Sequence, residues 1–388
     1  MSASVNTTPT SPASLTELRD AVRDTPGPVV ATGAGTAADW GAPLVGEATP
    51  ISVAGLSGVI AHNPGDMTVS VGAGTPLADL QEVLAASGQR VALDAARARR
   101  GATVGGLFAT ADAGPLALGF GTLRDLVIGV TTVLADGTVA RSGGHVIKNV
   151  AGYDLAKLLH GAYGTFGVVA EIVLRLHPLP AATRTVALQV PDPAGVPAAG
   201  RAVTDTPVEA AALEWVDGRL LALLEGTEAG VEGRASRLVD LLGADAEVLA
   251  TADADAAWEA HRDAVDVRPD DRAVLRVGVA PTRLGDLLGG LVADLGAAGV
   301  TAAPATGVAT FTVPAEPVAV DAVHTRVADL GGTSTLRARP AGSAVPAWGP
   351  TPSSAVLLRS VAAAFDPDHR LGRGRLAPWL PVPEGASA

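Results

Sequence analysis

Four short runs of the chain place glycine beside threonine, a combination that gathers bare main-chain amides and hydroxyls around an anion. They are Gly33-Ala34-Gly35-Thr36, Gly72-Ala73-Gly74-Thr75, Thr103-Val104-Gly105-Gly106 and Gly164-Thr165-Phe166-Gly167-Val168. Glycine permits close backbone approach at a cost of roughly 0.5–1 kcal/mol relative to alanine in regular structure, so clustering asks for a reason. Any single run reads more readily as a turn than as a site. Four together point to a long, phosphate-bearing ligand held by amides rather than by lysines. The first run follows a strand at Pro28–Ala31, and Gly33, Gly35 and Ala38 fit the G-x-G-x-x-G/A dinucleotide pattern. Gly41 and Pro43 would stop the helix that this fingerprint needs, and no acid lies between Glu47 and Asp66 to hold a ribose. We read it as an amide-lined loop without a Rossmann helix behind it.

Composition narrows the chemistry. The chain has 388 residues, enough for two domains, and no cysteine, which excludes disulfides, a cysteine nucleophile and a cysteine-held iron–sulfur cluster. Its 40 acidic against 28 basic residues oppose nucleic-acid binding. The one basic cluster, Arg90, Arg97, Arg99 and Arg100, reads as a solvated loop, with an anionic substrate or an acidic partner subunit as the alternative. The histidines at 62, 145, 160, 177, 261, 324 and 369 show no H-x-H, H-x-x-x-H or H-E pairing, so no metal is expected. Trp215, Trp258, Trp348 and Trp379 read as core or interface aromatics. Residues 1–14 are polar, lacking the basic and apolar regions of a signal peptide, and read as a loose tail. No apolar run approaches the 18 or so residues of a membrane span, so a soluble, cytoplasmic protein is expected, peripheral at a membrane only through a partner.

The elements that must position the loops are short. Strands are expected at Pro28–Ala31, Pro50–Val53, Thr68–Val71, Val127–Ala135 and Val168–Leu176. A helix is expected from Leu77 to Ala86, with Leu77, Leu80, Val83 and Leu84 on one face and Gly88 as its stop. Ala135-Asp136-Gly137-Thr138 reads as a hairpin turn. A proline-marked border falls at His177–Ala182. Beyond it the order is strand 185–190, helix 194–204, strands 210–216 and 219–224, helix 229–243, strand 246–250 and a helical stretch through Trp258. A second round follows: strand 273–279, helix 282–298, strands 301–304 and 307–313, helix 317–330 and strand 333–338. Two β-α-β-β-α-β rounds imply paired ferredoxin-like halves in one antiparallel sheet.

The runs Thr68–Leu77, Ala102–Gly106 and Gly121-Thr122-Leu123-Arg124-Asp125 carry a resemblance. The strongest likeness lies in Gly143-Gly144-His145-Val146-Ile147-Lys148-Asn149-Val150-Ala151-Gly152-Tyr153-Asp154-Leu155 with Gly164–Val168. Over about residues 28–180 the chain resembles the PCMH-type FAD-binding domain of the vanillyl-alcohol oxidase superfamily, in particular the FAD-binding subunits of bacterial glycolate oxidases. The resemblance implies an α+β chain: a tail at 1–14, a PCMH-type FAD-binding domain at 15–180, a ferredoxin-like substrate or cap domain at 181–345, and a segment at 346–388 returning toward the first domain.

Residue by residue, it implies that Gly33, Ala34, Gly35 and Thr36 hold the FAD diphosphate, with Gly74 and Thr75 against the same chain of atoms. Thr103, Gly105 and Gly106 would line the flavin. Gly121, Arg124 and Asp125 would form the floor, and Gly164, Thr165, Gly167 and Val168 would meet the ribityl and ring edges. Lys148 would balance the diphosphate, and Asn149, with Gly152 beside it, would lie near the cofactor. Asp154 reads instead as a helix cap, and Tyr153 is open between facing flavin and packing. Thr36 in place of histidine and the lack of cysteine imply noncovalent FAD. The terminal F-D-P-x-x-x-x-N-P-G-R-L pattern is altered at Phe365–Leu376, losing its Asn and Pro. The implied function is a glycolate or 2-hydroxyacid oxidase component that passes electrons to a partner, with a catalytic flavoprotein subunit and an iron–sulfur subunit as possible partners. The alternative is a non-catalytic assembly subunit with a degenerate flavin site.

Overall fold

The computed structural model describes residues 10–145 and 154–382. It divides into two compact units, one built from residues up to Gly114, Gly121–Leu179 and from Thr351 on, the other from Pro115–Phe120 and Pro180–Pro350.

The first unit opens with a helix, Leu15–Asp24, whose N-cap Ser14 accepts from the Glu17 amide and whose Leu18 and Val22 are fully buried. The stretch read as a loose tail is held from Thr10 onward, because Thr10 pairs beside Ile51. Strands β1 (Val29–Thr32) and β2 (Thr49–Ser52) are parallel. Next come β3 (Val59–Asn63), β4 (Thr68–Gly72), the two-residue β5 (Gln89–Arg90), β6 (Val127–Val133), β7 (Val139–Gly143), β8 (Val168–Arg175) and β9 (His177–Pro178). An antiparallel sheet forms in the order β3-β4-β8-β6-β7, while β5 pairs with β9.

On one face of that sheet Val69, Val71, Val130, Ile172 and Leu174 pack against Leu77, Leu80 and Leu84 of helix Leu77–Ala85 and against Leu107 and Phe108 of helix Val104–Ala109. Each such side chain contributes roughly 1.5–3 kcal/mol when buried. Val83 was expected on the apolar face of helix Leu77–Ala85, yet it is 51% exposed. The stripe follows i, i+3, i+7, and Val83 lies to one side of it. Helix Ala355–Phe365 and the segment after it also belong to this unit. Leu371 pairs beside Val29, and the buried Asp366 accepts from the amides of Arg370 (2.9 Å) and Leu371 (2.7 Å). Arg370 donates to the carbonyls of Ala135 (2.7 Å), Val22 (3.0 Å), Gly27 (3.1 Å) and Thr25.

The second unit holds β10 (Ala182–Gln189), β11 (Ala212–Val216), β12 (Arg219–Gly226), β13 (Ala246–Val248), β14 (Arg272–Gly278), β15 (Ala298–Ala303), β16 (Val308–Pro314) and β17 (Thr333–Ala338). They form one antiparallel sheet in the order β13-β10-β12-β11-β15-β16-β14-β17. Numbered within each round, the order is 4-1-3-2 followed by 2-3-1-4. The second round therefore mirrors the first across the β11–β15 pair at Trp215 and Ala302. This is the duplicated ferredoxin-like arrangement that the sequence periodicity implies. Helix Thr251–Val265 links the rounds and sets Ala257 and Trp258 against Ala187, Val216 and Leu221. Within this unit Glu214 and His261 form a buried pair, Nε2 to Oε2 at 3.2 Å.

Candidate functional site

The first unit contains a cavity walled mainly by three of the four glycine runs, the second run adding only Ala73. Its first wall is the turn after β1. Gly33, Ala34, Gly35 and Thr36 all line it, and no helix follows: the backbone folds back through Ala38 N–H to the Gly35 carbonyl (3.1 Å) and Trp40 N–H to the Ala37 carbonyl (3.1 Å). Among the described residues, the amides of Gly33, Ala34 and Gly35 meet no main-chain or side-chain acceptor. Three donors thus remain available on one rim, in keeping with a loop that takes an anion without a helix dipole behind it.

The second wall is the start of helix Val104–Ala109. Thr103, Gly105 and Gly106 line the cavity, but these glycine amides are already used, Gly105 by the Ala73 carbonyl (2.9 Å) and Gly106 by the Thr103 hydroxyl (3.1 Å). Here glycine serves close packing. A Cβ on Gly105 would stand 2.7 Å from the Ala73 oxygen, and one on Gly33 would stand 2.5 Å from the Thr103 hydroxyl across the cavity floor. The third wall holds Leu159, Ala162, Tyr163, Gly164 and Gly167, with Tyr163 in left-handed backbone geometry (φ 53°).

The other residues singled out from sequence lie elsewhere. Gly74 and Thr75 do not line the cavity. Gly74 is pressed against the Val53 carbonyl, and the Thr75 hydroxyl donates to the Gly72 carbonyl (2.7 Å) and accepts from the Gly58 amide (2.8 Å). Arg124 and Asp125 are exposed and do not line it either. Asp125 closes a capping box with Thr122, and Gly121 supplies the positive φ of that turn. Thr165 is buried with its hydroxyl on the Ala162 carbonyl (2.7 Å), and Val168 belongs to the core beneath β8. Lys148, Asn149, Gly152 and Tyr153 lie outside the described residues.

Sequence reasoning missed the cavity's cations. Arg97, read as part of a solvated patch, is 2% exposed. Its Nε donates to Asp112 (2.8 Å), Nη1 to the Thr36 hydroxyl (3.0 Å) and Nη2 to the Thr110 hydroxyl (2.7 Å), while the guanidinium lies 4.0 Å from the Trp40 ring centroid. Arg99 and Arg100 are exposed, as that reading holds. Arg375, also on the cavity wall, donates to the carbonyls of Trp40 (3.1 Å) and Ala42 (3.2 Å). A lone arginine framed by small residues, Ala95-Ala96-Arg97-Ala98, was the available signal. Behind the third wall His160 packs edge-on to Phe108 (5.5 Å), and burial, aided by the Arg124 charge, pulls its pKa down to about 4.

Residues 3–143 match the family model of an FAD binding domain. The chain is 31% identical over 238 residues to glycolate oxidase subunit GlcE of Escherichia coli (strain K12), covering 61% of this chain and 65% of that one. It is 42% identical over 115 residues to the mitochondrial D-lactate dehydrogenase [cytochrome] of Arabidopsis thaliana, covering 30% and 20%. The matches therefore span less than two thirds of either relative's own length. A solved alkyldihydroxyacetonephosphate synthase shares the fold, with a TM-score of 0.69 at 17% identity over 94% of this chain and 75% of that one. The cavity suits FAD as a cofactor: the bare amides of Gly33–Gly35 match an anionic diphosphate, and the apolar Val30, Val53, Ala109 and Leu159 match its uncharged portions. Among the described residues no helix is long and apolar enough to cross a membrane.

Proposed function

We propose that the chain is an FAD-dependent oxidoreductase component acting on a small 2-hydroxy acid such as glycolate or D-lactate and working beside partner subunits. The observation that carries this reading is the rim of three amides, Gly33 to Gly35, that meet no acceptor among the described residues and lie inside the segment matched by the FAD-binding family model. Bound FAD would accept the hydride leaving the hydroxy-bearing carbon; the protein supplies position and electrostatics. In the proposed site Gly33, Ala34, Gly35 and Thr36 hold the diphosphate and Thr103, Gly105 and Gly106 form the opposite wall. Gly164 and Gly167 keep the third wall low enough for a planar ring to approach. Lys148, Asn149 and Gly152 are proposed to complete the site. FAD is held without a covalent bond, because Thr36 offers no attachment atom and the chain has no cysteine. The proposed division is a PCMH-type domain at 15–180, a substrate or cap domain at 181–345 and a returning segment at 346–388. The likeness to GlcE supports a complex with a second flavoprotein, and the lack of cysteine would leave any iron–sulfur relay to another chain.

Among the described residues of the cavity wall the ionisable ones are Arg97, Tyr163 and Arg375, none of them a ready proton acceptor at neutral pH. That favours a second reading, an assembly subunit whose flavin is not turned over by this chain alone. One titration separates the two. Protein purified yellow and bleached by glycolate or D-lactate without partners supports the enzyme, whereas yellow protein reduced only with its partners supports the subunit. Colourless protein that rejects added FAD overturns the flavoprotein reading and leaves an assembly subunit with a degenerate flavin site.

A further inference from the structure

We propose that the buried Arg97–Asp112 pair is the positioning element for the diphosphate loop, holding Gly33–Trp40 in its anion-accepting shape before any cofactor arrives. This rests on the assignment of the cavity to FAD.

A cation beside a phosphate-accepting loop invites the simpler reading that Arg97 neutralises the ligand, and the geometry opposes it. Asp112, on a side chain 5% exposed, sits 2.8 Å from Nε and cancels the charge locally. All three guanidinium nitrogens donate within the protein, and one face of the plane is stacked on Trp40. The targets of those contacts fall in two groups. Thr36 and Trp40 belong to the loop after β1; Thr110 and Asp112 belong to the end of helix Val104–Ala109, where the Thr110 hydroxyl in turn donates to the Gly106 carbonyl (2.8 Å) and Asp112 Oδ1 accepts from the Ala113 amide (3.1 Å). Arg97 therefore ties the amide-bearing rim to the opposite wall with a planar, rigid fork, a task lysine cannot perform because it lacks both the fork and the stacking surface.

The energetic reason follows from the loop itself. A turn in which three successive amides, Gly33 to Gly35, find no acceptor among the described residues has less of its own to keep it in one conformation, and ordering it at the moment of binding would draw on cofactor affinity. The clamp moves that ordering into folding. Arg375, bonding the Trp40 and Ala42 carbonyls, grips the same stretch from the far side.

The test uses cofactor-free full-length protein, titrated with FAD by flavin fluorescence and melted in parallel. Replacing the pair together, Arg97→Met with Asp112→Leu, removes the clamp while leaving no buried unpaired charge. We expect FAD affinity to fall ten-fold or more with the melting midpoint of the cofactor-free protein close to wild type. Trp40→Leu, which leaves the buried pair and the cavity-lining Thr36 intact and removes the ring beneath the guanidinium, is expected to weaken FAD several-fold and serves if the double variant does not fold. Gly33→Val is the control for the site. If Gly33→Val abolishes FAD binding while Trp40→Leu and the double variant bind as wild type, the clamp is refuted and the site stands. If Gly33→Val itself binds FAD normally, the cavity assignment falls and the proposal with it.

Discussion

The tetrapeptide Gly-Ala-Gly-Thr occurs twice, at Gly33–Thr36 and at Gly72–Thr75, and the two copies do opposite work. In the second copy every residue is buried and every amide is bonded: Gly72 to Gly58, Ala73 to Ala170, Gly74 to Leu56 and Thr75 to Gly72. The first copy is partly exposed, its Gly35 stands at φ 70° with open space where a Cβ would go, and among the described residues three of its amides point at no acceptor. The difference is supplied by neighbours. The second copy leaves β4 into a sheet with the 53–58 turn pressed against it, so its donors are consumed at once. The first leaves the two-stranded β1–β2 ladder, where among the described residues no acceptor meets the Gly33–Gly35 amides. A glycine-rich motif specifies backbone freedom; whether that freedom serves packing or binding is decided by what lies within hydrogen-bond reach.

The contrast can be broken by substitution. Gly74→Val forces a branched side chain into the Val53 carbonyl and should cost several kcal/mol, beyond the roughly 1–3 kcal/mol typical of core overpacking, read as loss of folded protein or a large drop in melting temperature. The corresponding Gly35→Ala has room for its methyl and should cost only about 1–2 kcal/mol for left-handed backbone. Acid probes the cavity side next. His160 has a folded pKa of about 4 against a usual value near 6.5, so the unfolded chain binds the proton first. Stability is full above about pH 6.5, falls as pH drops toward 4, and the loss from this group approaches about 3 kcal/mol. Denaturant melts at stepped pH should show that slope, and His160→Phe should flatten it.

Smaller effects sharpen the comparison. Gly33→Ala must displace the Thr103 hydroxyl that caps helix Val104–Ala109, and is expected to weaken FAD about ten-fold, near 1.4 kcal/mol, with a small stability loss, by fluorescence titration. Thr75→Val removes two hydrogen bonds and should cost roughly 1–2 kcal/mol in denaturant melts with FAD affinity unchanged.

The second unit was legible because its elements are long and periodic. Two β-α-β-β-α-β rounds could be read within a few residues, and the mirrored strand order follows from their pairing. The first unit was less so, for reasons visible in particular residues. Helix Leu15–Asp24 was not assigned, although Ser14 and Glu17 carried a capping signature, because the polar run before it dominated the reading. Strand β3 was missed because His62 and Asn63 break its apolar alternation and none of its residues is buried. Arg97 was misread because Arg99 and Arg100 follow just beyond Ala98 and suggest one basic patch, whereas Thr36, Trp40, Thr110 and Asp112 become its partners only through folding. Composition conveys a surplus of charge; only tertiary structure says where that charge is spent.

The C-terminal strand partner of β1 has a temporal consequence. Leu371 lies beside Val29, Arg370 draws together four carbonyls from the first helix, the turn after it and the end of the β6 arm, and Arg375 finishes the cavity wall. The wall of this cavity thus joins residues as distant in sequence as Val30 and Arg375, so it is complete only after translation has passed Arg375.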